Sequence, residues 1–381
     1  MRAAFERRRH LLDFAVASLL RRPAKNVGLI VVYALVVFLL ASVMLFGTAV
    51  RREAAAVLDA APEIAAQAMT MGRHDMSTAS DVAALKGLRG VRRVEPRLWG
   101  YLWDSAGAAN YTLKVPTAAD AGLTVGKGES IVGEGVARAR KVSPGKMLFL
   151  VSPAGKFLRT KVKAVLPSTT ALVSTDLVLV EEGDFRAFFE LPPDVWTDVA
   201  LTVTNPREVT TIAEKASVKL PGHRFVTRAD MIRTTEALFS WREGLALALL
   251  GGALVAFAIL AFDKASGLSA EERREIGILK AIGWETSDVI LMKLWEGLLI
   301  SLAAFLLGFA AAYAHVFLWS ASLFEPVLKG WSTLYPRFPL TPEIDALELA
   351  TLAVLTVVPY VAAIQVPIWR TATADPDVVM R

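Results

Sequence analysis

Two short stretches hold residue types able to do chemistry, and each suggests a different kind. In AMTMGRHDM, Met69, Met71, His74 and Met76 fall within eight positions. Thioether sulfur and imidazole nitrogen are soft ligands that suit Cu(I). Met69 and Met71 share a face if the stretch is a strand. The plainer reading is packing, because methionine fills irregular gaps wherever it falls. In AGLTVGKGES, Ala121 to Ser130, glycines surround a lysine as they do in a phosphate loop. The spacing argues against one: three residues separate Gly122 from Gly126 where four are needed, and Gly128 stands where Ser or Thr would hold magnesium. A glycine-rich turn accounts for it better.

No Ser, His and acid fall into hydrolase spacing, and the chain has only four histidines. It has no cysteine, which excludes disulfides, thiolate metal sites and a cysteine nucleophile. The chain is therefore expected not to be an enzyme, and to bind no cofactor of its own. Trp99 and Trp103 in RLWGYLWD are either core or the lining of a groove for an acyl chain or aromatic ligand.

A third stretch, EERREIGILKAIGW from Glu271 to Trp284, is built for contact rather than catalysis. Its spacing is helical, and its first-turn acids complement the helix dipole. Gly283 can end the helix in the left-handed conformation, and Thr286 or Ser287 can cap the next one. Ile276, Leu279 and Ile282 make a compact apolar face beside mixed charge. A lipid-lying helix prefers Lys and Arg on its polar face, so a protein partner suits this segment better than a membrane surface or a solvated connector.

The elements that would position it are membrane spans. Of 381 residues 54% are hydrophobic, against about 45–50% in soluble domains. The excess lies in four runs: Asn26–Val50, Gly244–Phe262, Gly297–Phe324 and Leu349–Trp369, each near the roughly 20 residues that cross a bilayer core. Pro359 and Pro367 in the last are tolerated because neighbouring helices satisfy freed backbone groups. Basic residues crowd the leader (Arg2, Arg7, Arg8, Arg9, Arg21, Arg22, Lys25) and the segment from Lys264 to Lys293, whereas the loop after span three holds only Lys329 and Arg337. By the positive-inside rule both termini and the charged segment are cytoplasmic. Trp331, Tyr335 and Phe338 suit the opposite interface.

The expected fold class is an α-helical membrane protein with four transmembrane helices plus a large α+β extracytoplasmic domain between helices 1 and 2. Its parts are a cytoplasmic amphipathic leader at 1–25, helix 1 at 26–50, and the extracytoplasmic domain at 51–240. Helix 2 follows at 243–263, a cytoplasmic coupling helix at 264–293, and helix 3 at 294–320. An outer loop at 321–345, helix 4 at 346–369 and a cytoplasmic tail at 370–381 complete it. Within the domain, a helix over Asp81–Leu88 capped by Ser80 and a helix over Arg207–Leu220 after Pro206 are expected. Strands are expected at Asn110–Val115, Lys146–Ser152, Lys156–Val165, Ala171–Val180 and Asp198–Thr204.

REIGILKAIGW, Arg274 to Trp284, resembles the cytoplasmic signature of the FtsX-like permease family, the membrane subunits of type VII ABC transporters. These include lipoprotein-releasing, macrolide-exporting and cell-division members. Glu296 in KLWEGLLIS resembles the family's glutamate near the start of span three. VPIWRTATADPDVVMR resembles its ending, through Pro367, Arg370, Asp375, Pro376 and Arg381. HLLDFAVASLLRRPAKN is similar to its N-terminal helix, and IVGEGVARARKVSPGKMLFLV to a stretch of its outer domain. The Met/His patch and RLWGYLWD match no general family feature.

The resemblance implies a permease of the bacterial inner membrane. Such a permease forms a homodimer or a heterodimer with a relative and contacts membrane lipid, with no nucleic acid partner. It pairs with a cytoplasmic ABC ATPase that binds the ATP and Mg. It further implies that Arg274, Glu275, Ile276, Gly277, Ile278, Leu279, Lys280 and Gly283 carry the ATPase contact, with Glu275 and Lys280 pairing charges on the partner. ATP-driven motion would then serve export or extraction of a lipoprotein, lipid or amphiphile, with copper export as a variant. The alternative is a mechanotransmitter that switches a periplasmic partner without moving substrate.

Overall fold

The computed structural model describes residues 2–59, 61–118, 120, 122–167, 174–266, 270–324, 334 and 340–373. The expected interface aromatics Trp331, Tyr335 and Phe338, the strand start at Ala171–Val173, and Asp375, Pro376 and Arg381 lie outside these residues. Two compact units emerge. One comprises 1–49, 240–321 and 341–381, the other 50–239 and 322–340.

The first unit is helical. It is built from α1 (Arg2–Arg21), α2 (Pro23–Asp59), α7 (Arg228–Ser266), α8 (Ala270–Ala281), α9 (Thr286–Tyr313) and α10 (Ala346–Thr373), with a π turn at Ala314–Leu318 extending α9. Helices α2 and α7 each begin in one unit and end in the other. Among the described residues three helical stretches are long and apolar enough to cross a membrane: Pro23–Glu53, Thr286–Leu318 and Ala346–Arg370. The remaining expected span falls on α7, whose described apolar stretch, Leu250–Asp263, is shorter.

Rings and small residues hold these helices together. Tyr33 of α2 stacks on Phe257 of α7 with centroids 4.1 Å apart and planes 6° apart, and lies 5.4 Å from Tyr360 of α10. Its hydroxyl donates to the carbonyl of Thr356, in the turn before Pro359, where the helix ladder is already disturbed. Thr48 donates to Glu348 at 3.0 Å, and His315 Nδ1 lies 3.2 Å from Ser42 Oγ. At Gly308 the backbones of α9 and α2 come close: a Cβ there would sit 2.6 Å from Ala34 O and 2.7 Å from Val37 Cβ. Between α7 and α10 runs an apolar groove of about 470 Å³, with Gly251, Val255, Ile259 and Pro359 among its walls.

The second unit is α+β. Its strands are β1 (Ile64–Thr70), β2 (Arg73–Asp75), β3 (Ser77–Thr78), β4 (Val91–Arg97), β5 (Trp99–Asp104), β6 (Ala109–Lys114), β7 (Glu129–Val132), β8 (Met147–Val151), β9 (Phe157–Val165), β10 (Leu177–Val180), β11 (Val195–Trp196), β12 (Asp198–Val203) and β13 (His223–Thr227). One sheet runs β13-β1-β12-β4 with β2 paired on β1, a second runs β5-β6-β10-β7-β9-β8, and β11 pairs β3. The first sheet is antiparallel. The second is mixed, with β6–β10 and β7–β9 parallel.

Alternation builds both sheets. Along β9, Leu158, Thr160 and Val162 point inward and Phe157, Arg159, Lys161 and Lys163 outward, the period of two that leaves one face wet. The helices α3 (Ala79–Lys86) and α6 (Val209–Lys219) cover the first sheet through Val82, Leu85, Ile212 and Ala216 against Ile64, Val199 and Leu201. The helices α4 (Glu134–Arg140) and α5 (Glu182–Phe189) supply Val136, Phe185 and Phe188 to the second core, which Leu334 joins.

Two expected helix starts move. Helix α3 is capped by Thr78 rather than Ser80, because the carboxylate of Asp81 takes the Thr78 N–H at 2.8 Å and so selects the earlier residue. Pro206 opens a 3-10 turn, Pro206–Glu208, before α6, with Asn205 accepting from the Arg207 N–H at 3.1 Å. Ser174–Asp176 are not strand, and β10 starts at Leu177.

A bidentate ion pair joins β4 to β12: Arg97 Nε and Nη2 reach the two Asp198 oxygens at 2.6 and 2.5 Å, with Asp198 2% exposed. Removing one partner of a buried pair leaves a charge uncompensated, so Asp198→Ala is expected to destabilise this unit by about 3–5 kcal/mol, read as a shift in the urea midpoint followed by tryptophan emission. Helix α7 starts on a reciprocal cap, in which Thr227 Oγ1 and N donate to Asp230 Oδ2 at 2.6 and 3.1 Å and Asp230 N donates back at 3.1 Å. The Thr227 hydroxyl first, and its N–H second, hold the Asp230 carboxyl below the usual carboxylate range. A depressed carboxyl stabilises fully above its unfolded value, about 3.9, and loses that contribution as pH falls through the folded value. Amide exchange in the first turn of α7 is expected to quicken across that acid window, and Asp230→Ala to abolish the dependence.

Candidate functional site

Helix α8 owes its shape to its ends. Gly283 has φ 103°, a backbone that side chains with a Cβ resist. Around it the N–H of Trp284 bonds Leu279 O at 3.0 Å and that of Gly283 bonds Lys280 O at 3.0 Å, the paired closure of a Schellman motif. Trp284 then packs beside Leu279, the apolar contact that accompanies this motif. The next helix, α9, is entered through Glu285, not Thr286 or Ser287. The N–H of Glu285 donates to Asp288 Oδ2 at 3.3 Å, and an acid at the third helical position fixes the cap one residue earlier.

Three other helices hold α8. Leu279 packs with Ala15 and Phe14 of α1 and with Met292 and Trp295 of α9. Ile276 packs with Val289 of α9 and Ala372 of α10. The rings of Phe14 and Trp284 lie 5.2 Å apart, and the Arg21 guanidinium sits 5.2 Å over Phe14. Glu275 meets Arg21 at 3.1 Å and Arg22 at 3.5 Å. Arg21 ends α1 and Arg22 is the bend that follows, where Pro23 stops one helix and opens the next.

The expected contact residues therefore separate into two sets. Ile276, Gly277 and Leu279 are buried within the chain, and Glu275 is engaged by the leader's own arginines rather than left facing outward. Arg274, Ile278 and Gly283 are exposed, Ile278 by 50%, and Lys280 is half-buried; Ile282, outside the expected set, is exposed by 70%. The helix carries two apolar stripes, Ile276/Leu279 and Ile278/Ile282, and packing against α1 and α9 consumes the first. Sequence reasoning missed the role of Phe14, Arg21 and Arg22. The signal was the Arg-Arg-Pro junction of the leader, whose residue types give topology and a family resemblance but no packing partner.

Glu296, one turn into the apolar part of α9, pairs with Lys293 at 2.6 Å, both largely buried. Its other oxygen, Oε1, has no hydrogen-bond partner among the described residues. Next to it, a Cβ on Gly297 would overlap Ile364, so Glu296 stands where α9 and α10 touch. Pro367 is buried in α10, and Arg370 is exposed three residues on. The Met/His set lies in the α+β unit. Met69 and Met71 do not share a strand face: Met71 is in a turn, and Met69 faces His74 instead. In the second sheet Tyr111 is buried, and burial, with Asp104 beside it, pushes its phenol well above its ordinary value.

Replacing Gly283 with Ala forces a Cβ into the left-handed region, at a cost of about 1–2 kcal/mol. Amide exchange at Ile282 to Trp284 is expected to rise about tenfold in Gly283→Ala, with exchange in α2 unchanged.

Residues 244–376 match a family model described as FtsX-like permease C-terminal. No curated protein matches the chain. Among solved structures, the chain is similar to the extracellular domain of the noncanonic ABC-type transporter YknZ from Gram-positive bacteria. That alignment has 15% identity and TM-score 0.30, and covers 43% of this chain and 99% of that one. It is also similar to the periplasmic region of MacB from Actinobacillus actinomycetemcomitans, at 10% identity and TM-score 0.31, over 45% of this chain and 92% of that one. The matched stretch carries α8 with its Gly283 corner, the Lys293–Glu296 pair and Pro367, and over residues 244–376 the chain is similar to the C-terminal part of FtsX-like permeases.

Proposed function

We propose that the chain is the permease half of a complex whose ATP chemistry, with Mg, resides on a separate cytoplasmic ATPase. In this reading α7 is a further membrane span, both termini and α8 are cytoplasmic, and the α+β unit lies outside the inner membrane. Two permeases, identical or related, pair with the ATPase. The observation that carries the reading is the free face of α8. Arg274, Ile278 and Ile282 are exposed on a helix whose other stripe and whose Glu275 are tied to α1, α9 and α10. A push on that face reaches the spans directly, because α8 cannot yield alone. The contact set of the resemblance narrows accordingly to Arg274, Ile278 and Gly283, and exposed Ile282 joins it. Glu275, Ile276, Gly277 and Leu279 brace them from behind.

The work done outside is export or extraction of an amphiphile. Exposed Phe149 and Val151 on β8 and Phe157 on β9 form an apolar group on the α+β unit, of the kind that receives acyl or aromatic parts. Ile278→Asp with Ile282→Asp is expected to cut ATPase hydrolysis and co-purification at least about tenfold in nanodiscs. Val218→Asp, a change at an exposed residue of the other unit, is expected to leave both unchanged. Equal activity in the double variant and the native chain would overturn the α8 reading. Stimulation by a soluble outer protein, with none by lipids or lipopeptides, would replace export with signalling.

A further inference from the structure

The stretch AMTMGRHDM folds as a tight hairpin whose two faces differ in kind. Strands β1 and β2 pair with Ala68 opposite Asp75, Met69 opposite His74 and Thr70 opposite Arg73. Between them the turn is Met71-Gly72, with φ of 50° and 77°, the double left-handed geometry of a type I′ hairpin. That first position ordinarily takes Asn, Asp or Gly. Here a methionine occupies it, 100% exposed, and so gains no burial to offset its backbone strain.

One face secures the hairpin. Thr70 Oγ1 donates to Asp75 Oδ2 at 2.6 Å, and the Met76 N–H to Asp75 Oδ1 at 2.8 Å. The carboxylate is thereby used on that face. The opposite face carries Met69 and His74. The Met69 N–H points away from β2, donating to Gly222 O at 2.8 Å. Met69 and His74 are therefore a non-hydrogen-bonded pair, the kind whose Cα atoms lie about 4.5 Å apart and whose side chains approach closest. On the far side of Met69 the neighbour is Gly222, and a Cβ there would meet nothing within 4 Å. That leaves an open slot flanking the thioether. Met76 follows two residues after His74, and the Trp99 ring lies 5.8 Å from the His74 ring at 36°.

We propose that this face binds a soft monovalent cation, Cu(I) or Ag(I). Its ligands are the thioethers of Met69 and Met76 and the imidazole of His74. Trp99 stands beside the imidazole, and Met71 offers an entry ligand at the turn tip. Two thioethers and an imidazole form a neutral, soft set that favours Cu(I). The carboxylate that would attract Mg, Ca or Zn is turned to the other face. An aromatic ring near a cation adds attraction without a further ligand, modest at an exposed site. The site lies within the α+β unit and needs no ATPase.

The test uses the full chain in detergent under a reductant, titrated with Cu(I) against a chromophoric Cu(I) chelator, and in parallel with Ag(I). About one ion per chain is expected to bind, quenching tryptophan emission. His74→Ala, and Met69→Leu combined with Met76→Leu, are each expected to weaken binding at least about tenfold. Leucine keeps the volume of methionine, so the double variant separates ligation from folding. Met147→Leu in β8 is expected to bind as the native chain does. No competition with the chelator, binding that survives both site variants, or equal loss in Met147→Leu would each overturn the proposal.

Discussion

Helix α8 is 12 residues long, about the length at which an isolated helix is marginal in water. It therefore depends on the groups that hold it. Leu279 and Ile276 lie among residues of α1, α9 and α10, and Glu275 is bridged to Arg21 and Arg22 across 253 positions of sequence. Exposed ion pairs of this sort add little on their own, and Arg21 is half open to solvent. The apolar contacts supply most of the stability, and the charges choose the register at which leader and helix meet. What the helix can offer a partner follows from that register, because it decides which stripe is left outside.

Much of this was legible in the sequence where the physics is local. Long uncharged runs announce spans, because few soluble cores carry them. The Gly283 corner could be read because only glycine enters that backbone region cheaply. Arg274 to Trp284 and Glu296 pointed to the family through residue type and spacing. The facing of α8 was not legible. Two stripes of isoleucine and leucine satisfy helical periodicity equally well, and only the distant leader decides between them. Glu275 was hidden for the same reason, since its partners looked like a topology signal.

The α+β unit shows a second limit. Strands β6, β8, β9 and β12 carry β-branched residues and alternation, and those could be anticipated. Strand β1, IAAQAMT, could not. Its alanines are poor strand formers, yet it lies in the middle of its sheet between β13 and β12. Ile64 and Ala66 are fully buried there with α3 and α6 packed close, where small side chains suit the space. Strand β7 is four residues long and too brief to show a period. The Met/His stretch belongs to the same lesson. Spacing alone suggested that Met69 and Met71 were neighbours on a strand, whereas the turn between β1 and β2 makes Met69 and His74 the facing pair.

At Gly308, helix α9 meets α2 backbone to backbone, with Ala34 O and Val37 Cβ where a side chain would begin. Contacts made through long side chains let two helices slip past each other as rotamers change. A contact made by a backbone carbonyl and a stiff β-branched side chain has little such slack, and separating it would forfeit dispersion from both surfaces at once. The crossing is therefore the point at which the spacing of α9 and α2 is fixed. Any larger residue at Gly308 would have to push α9 and α2 apart, so that one position sets how near the two helices can lie.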